Sequence, residues 1–310
     1  MFLENMANAA GQVLILYILV AVGFVADRFK IFTESTAKLS NNLLFYCVTP
    51  AVILNSFMSM EFTKEKALSL GIAFLCAVGT MVVGMIFSAP FFKKKGEDRA
   101  IYQFSVIYGN MGYMALPLAQ ALLGDEGVFY CSAGVMAFNT ICFTHGVWLM
   151  SKPVNGKKAK FELLSIFKTP GVISVLIGLP LFVLGVKIPH MIDMPLNYLA
   201  GMNTPLAMIF FGTYIANTDL KQMLFDKGIY LVSILKLLLI PFIMLGIYKL
   251  LGISGTLLTA CMISASAPSA NNTVMFAAKY DHNTQTASKI VALVSFLSIL
   301  TMPLMIVLSS

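Results

Sequence analysis

Charge is scarce in this sequence. Asp, Glu, Lys and Arg make up 11% of its 310 residues, where soluble domains carry about 25%. A chain so short of charge cannot clothe a water-facing surface on every side. Hydrophobic residues reach 58%, and the mean hydropathy is +0.85. These values describe an integral membrane protein. Acidic residues are the scarcer sign, 14 against 21 Lys and Arg. Asp27, Glu61, Asp125, Glu126 and Asp219 all lie at the ends of apolar runs. Carboxylates inside the membrane are the usual members of proton relays. Their absence from the run centres argues against carboxylate-based coupling to protons or sodium.

Other absences exclude whole classes of chemistry. Cys47, Cys76, Cys131, Cys142 and Cys261 sit inside apolar runs without metal-ligand spacing. They read as small buried hydrophobes and leave the redox compartment open. His145, His190 and His282 have no second ligand at helical spacing. No metal and no cofactor is expected. Intramembrane hydrolysis would want a nucleophile with a positioned base, or a metal with several ligands, so an enzyme is not expected. The net charge of +7 resides in short loops between apolar runs, where topology explains it. No nucleic-acid partner is expected. The first ten residues hold Glu4 but neither Lys nor Arg, unlike the basic start of a signal peptide. The first span is therefore expected to stay in the mature protein.

What the chain does have is apolar length. A span needs about 20 apolar residues. Ten runs qualify: 10–26, 38–58, 67–91, 101–123, 128–149, 169–187, 195–216, 228–249, 254–279 and 285–308. When the loops are placed alternately on two sides, sixteen Lys and Arg fall on one side and four on the other, with Lys236 inside a span. The basic side is cytoplasmic by the positive-inside rule. Both termini are then outside a multi-pass protein of the cytoplasmic membrane. The run 151–168 reads as a basic linker, set by topology, with anionic lipid as a further partner to consider.

The linker separates two halves, 1–150 and 169–310. Thr49-Pro50 lies mid-way along the second span and Thr204-Pro205 mid-way along the seventh, 155 residues apart. Moving Pro117 by the same offset reaches Asn272, and Asp125 has a near counterpart in Asp281. Two five-span repeats are expected. Five is odd, so the second repeat is inverted, an arrangement common in secondary transporters.

Within each repeat one span is poor helical material. Gly109-Asn110-Met111-Gly112-Tyr113-Met114-Ala115-Leu116-Pro117 interrupts the fourth span, and Ser264 to Thr273 interrupts the ninth. Pro removes a backbone donor and clashes with the preceding turn. Such breaks in hydrocarbon are tolerated where they line a cavity or pack in protein. Each break should start a half-helix whose positive N-terminus points to mid-membrane, making an anion site without a basic side chain. Asn110, Gly112, Tyr113, Pro117, Pro268, Asn271, Asn272 and Thr273 are the expected substrate-binding residues. Ser264, Ser266 and Ser269 add hydroxyls. Gly109, Gly112, Pro117 and Pro268 should shape the breaks, and the two prolines should leave neighbouring carbonyls unpaired. Thr49, Pro50, Thr204 and Pro205 should bend the adjacent spans. Lys236, ionisable and inside a span, is a supporting candidate for pairing with an anion.

Residues 110–118 resemble the Asn-x-Gly-x-x-x-x-Pro-Leu segment of the auxin efflux carrier family, which includes bacterial permeases. Pro268 through Phe276-Ala277-Ala278-Lys279-Tyr280 is similar to the end of that family's ninth span. The resemblance covers the whole chain. It implies an all-α membrane protein of ten helices in two inverted five-helix repeats, with broken helices 4 and 9 crossing. It also implies elevator-like transport of an anion, often by a homodimer, with mono- or dicarboxylates such as malate or malonate as substrates. The alternative is a membrane receptor or sensor for an organic acid, with the carrier fold and no flux. Thr273 departs from the plant-type pattern, which has a second proline there. The long cytoplasmic loop of the plant exporters is absent.

Overall fold

The computed structural model describes residues 2–93, 96–151, 169–186, 188–217 and 226–309. The expected linker, apart from Ser151, lies outside them. The described chain is helical, with one isolated β-bridge. Its helices are α1 (Phe2–Arg28), α2 (Glu34–Leu43), α3 (Thr49–Ser59), α4 (Lys64–Phe91), α5 (Arg99–Ile107), α6 (Leu116–Ile141), α7 (Val147–Met150) and α8 (Pro170–Leu184). Then follow α9 (His190–Gly201), α10 (Asn203–Ala216), α11 (Lys227–Ile234), α12 (Ile240–Leu250), α13 (Gly255–Ser266), α14 (Asn272–Lys279) and α15 (Thr284–Ser309). Continuous helical stretches at Lys64–Phe91, Met111–Met150, His190–Ala216, Lys227–Leu250 and Thr284–Ser309 are long and apolar enough to cross a membrane. This is the build of an integral membrane protein.

Prolines explain much of the segmentation. Residues 44–48, 111–115 and 235–239 form widened π-turns, and each ends two residues before a proline: Pro50, Pro117 and Pro241. The residue just before each proline reaches back five positions, as in Thr49 N–H to the Leu44 carbonyl, Leu116 to Met111 and Ile240 to Leu235. A proline ring clashes with the carbonyl four residues back and offers no N–H. The wider turn accommodates both defects, so these helices continue past their prolines. Gly124 separates the expected fourth and fifth spans inside α6, with φ 62° and ψ −151°. Only glycine takes that conformation without steric cost.

The helices pack as two groups. In one, α1 lies along α10, and α3 packs on α8 and α9. A Cβ on Gly23 would fall 2.1 Å from the Ile209 carbonyl oxygen, and one on Gly212 would fall 2.0 Å from that of Val20. The two backbones of α1 and α10 therefore touch reciprocally through glycines, as small residues permit in membrane helix pairs. In the other group, α4 packs on α5 and α6, α13 on α6 and α15, and α11 and α14 on α15. The groups meet where α6 contacts α3 and α8 and where α1 contacts α15.

Candidate functional site

The two breaks meet. α5 stops at Ile107 and helix resumes at Met111; α13 stops at Ser266 and helix resumes at Asn272. Between them Gly109 and Ser269 form an antiparallel bridge. Asn110 N–H donates to the Pro268 carbonyl at 2.7 Å, and Ala270 N–H donates to the Tyr108 carbonyl at 3.0 Å. Four backbone groups that a helix would have paired thus pair with each other. In a medium where an unpaired group costs several kcal/mol, that bridge makes the double break tolerable. Ser269 Oγ adds a bond to the Ser105 carbonyl at 2.7 Å, pinning the second break to α5. Gly109 is required by close approach: a Cβ there would lie 3.1 Å from Lys236 Nζ and 3.3 Å from the Ala267 carbonyl oxygen.

A cavity of about 500 Å³ opens beside this crossing, between the two helix groups. Gly109, Asn110, Met111, Gly112, Tyr113, Ala270, Asn271 and Asn272 form one wall; Asn42, Phe45, Tyr46 and Thr49 form another. Val135, Phe138, Asn139, Phe143, Thr169, Pro170, Gly171 and Met275 complete it. Among the described residues no Asp, Glu, Lys, Arg or His lines it. That volume suits a small organic molecule. A Cβ on Gly112 would meet nothing within 4 Å, so this glycine leaves space open.

The polar groups divide by availability. Asn110 caps the first restarted helix, its Oδ1 accepting Tyr113 N–H at 3.3 Å. Its Nδ2 is left to donate. Asn271 stands at the cap position of α14 without a capping bond, and neither it nor Asn272 has a side-chain partner among the described residues. The N–H groups of Gly112, Asn271 and Asn272 likewise have no acceptor among the described residues. Two half-helix N-termini therefore present donors to one cavity, the arrangement that favours an anion.

Lys236 is 1% exposed. Its Nζ lies behind Gly109, on the widened turn before Pro241, and does not line the cavity. Among the described residues it has no ion pair and no hydrogen bond.

Several expected residues are placed otherwise. Pro117 sits at the second position of α6, after the break, and does not create it. Its own carbonyl accepts from Thr204 Oγ1 at 3.2 Å, and the Pro268 carbonyl accepts from Asn110 N–H. Pro117, Pro268 and Thr273 do not line the cavity; Thr273 is fully buried with its hydroxyl unpartnered. Ser264 and Ser266 turn to Cys131 and to the Met262 carbonyl. Thr49 lines the cavity while Thr204, Pro50 and Pro205 do not. Asn42, Asn139, Phe45, Tyr46, Phe138 and Phe143 also line the cavity and were not among the expected residues. An amide in an apolar run, as at Asn139, is the one cue that could have marked them.

With this geometry in hand, comparison with known proteins identifies the class. The profile described as membrane transport protein matches residues 9–306. The chain belongs to this family, that of the auxin efflux carriers. It is similar to “Uncharacterized transporter MJ1031” of Methanocaldococcus jannaschii, 27% identical over 94% of this chain and 96% of that one. “Uncharacterized transporter YfdV” of Escherichia coli K12 is 22% identical over 96% and 97%. “Putative malonate transporter” of Rhizobium meliloti is 25% identical over 96% and 94%. The relatives are named as transporters, none as an enzyme.

Proposed function

We propose that this protein is a secondary transporter for a small organic anion, a mono- or dicarboxylate of malonate or malate size. The observation that carries this reading is the paired crossing of two broken helices, whose free N–H groups and side-chain amides face one cavity. Asn110, Asn271 and Asn272 contact the anion, with the N–H groups at the starts of the two restarted helices. Lys236 supplies positive charge from behind Gly109, where no side chain intervenes. The relative named for malonate supports the substrate class.

The architecture under this reading is ten spans in two inverted five-span repeats, with both termini outside the cytoplasmic membrane. The 155-residue offset of the two Thr-Pro pairs supports the repeat. The cavity lies between two helix groups, which suits an elevator-like motion of the crossing group against the α1–α10 group. Asn42, Thr169 and Met275 lie close in sequence to the basic loops, so the cavity faces the cytoplasm by the positive-inside rule. Moving one negative charge outward is favoured by about 2.3 kcal/mol per 100 mV. Export or anion exchange therefore needs no coupling ion. A homodimer through the α1–α10 group would leave the crossing group free to move.

The test is flux of labelled malonate and malate in proteoliposomes, against the Asn272→Leu variant. Flux lost in the variant, with membrane insertion intact, supports the reading. Equal flux in both sinks the site. Binding without flux in either direction would replace the transporter by a sensor.

A further inference from the structure

We infer that Asn139 reads an O–H donor on the substrate, so that the transported anion is a hydroxycarboxylate or a dicarboxylate that keeps one proton. The inference rests on the organic-anion reading above and deepens it. Asn139 lies near the end of α6, is 5% exposed, and lines the cavity. Its Nδ2 donates to the Val135 carbonyl one turn back, at 2.8 Å. That bond fixes the amide, because the flipped orientation would set Oδ1 against another acceptor. Oδ1 is left with no partner among the described residues. It is not sealed in protein either, unlike the unpartnered Asn203 Nδ2 and Thr273 Oγ1.

The cavity therefore has two chemical sides. The crossing offers donors: Asn110 Nδ2, the two free amides of Asn271 and Asn272, and the N–H groups at the helix starts. The amides of Asn271 and Asn272 can turn either way, whereas α6 offers at Asn139 an oxygen that can only accept, its NH2 being spent on Val135. A fully ionised group without hydrogens would be repelled by Asn139 Oδ1. A ligand with no donor would leave it desolvated and unpaired. An O–H satisfies it. Sites built to pair a hydroxyl reject the analogue that lacks one for this reason. The donor side takes the carboxylate, and the acceptor side selects among carboxylates.

The experiment is calorimetric binding to the full-length protein in nanodiscs, using malate against succinate and tartronate against malonate, at neutral and mildly acidic pH. If the substrate hydroxyl is the donor, the hydroxylated member binds about tenfold tighter at neutral pH. If a retained proton is the donor, the hydroxyl pairs bind alike and the dicarboxylates tighten about tenfold on acidification. In either arm, Asn139→Leu brings the ratio to within about twofold. Asn139→Ser, whose shorter side chain keeps the bond to Val135 but draws its oxygen back against the helix, does the same and controls for misfolding. Carboxylates that bind without either preference, or a preference unchanged in both variants, overturn the inference alone. No binding of any carboxylate overturns it together with the organic-anion reading.

Discussion

The two breaks look alike in sequence and use their asparagines differently. In the first, Asn110 turns its oxygen inward to cap the new helix, and Pro117 downstream is absorbed by a widened turn. In the second, Asn271 and Asn272 make no cap, and Pro268 lies inside the break with its carbonyl bonded across to Asn110. One break is braced by its own side chain. The other is held by its neighbour, through the bridge and through the bond from Ser269 Oγ to the Ser105 carbonyl of α5. The second break therefore keeps its amides free for a ligand because the first supplies its support. Thr273, where a proline would offer no donor, keeps its N–H on the Ala270 carbonyl at 3.0 Å.

The largest expected effect comes from forcing the breaks apart. Gly109→Ala puts a methyl group against the Ala267 carbonyl oxygen and Lys236 Nζ. The lysine end can move; the backbone oxygen cannot without opening the bridge. Overpacking of this kind costs about 1–3 kcal/mol. Both thermal stability in detergent and flux should fall, and an unchanged melting temperature would show that the crossing is looser than described.

Next come the asparagines, which separate the roles directly. Asn272→Leu should abolish flux with little change in melting temperature. Asn110→Leu should abolish flux and also lower stability by about 1 kcal/mol, the worth of a helix cap. Equal stability losses in the two variants would erase the distinction between a braced and an unbraced break.

Lys236→Met tests the charge behind Gly109. A buried ammonium without a partner is costly to hold, so its removal should leave stability unchanged or raised. Anion affinity should fall, by about tenfold if the ammonium contributes as much as one charge-assisted hydrogen bond. A loss of stability with full affinity would make the lysine a packing element. The smallest effect belongs to Gly112→Ala, whose methyl group enters open cavity. Stability should hold, while affinity falls a few-fold for the larger dicarboxylates and less for small monocarboxylates. Equal losses for both sizes would place Gly112 away from the ligand.

The sequence by itself determined the membrane embedding and where the interruptions fall. Hydrocarbon makes apolar length a condition of spanning, and Gly, Pro and Asn break helices by rules local to their own turns, so both are readable along the chain. It also marked Asn110, Asn271 and Asn272 as polar groups inside apolar runs. Only the tertiary structure decided which of those groups are spent on the protein and which stay free. Pro117 looked like the cause of a break, yet a π-turn absorbs it, because helix geometry has a second way to avoid its ring. Its carbonyl finds a hydroxyl on Thr204, 87 residues on, a partner that no local pattern announces. Lys236 gave no local sign that it lies behind Gly109, and Asn139 gave none that Val135 would fix its amide with the oxygen outward. Availability of a polar group in a membrane depends on what crosses it in space, and those partners come from segments distant in the chain.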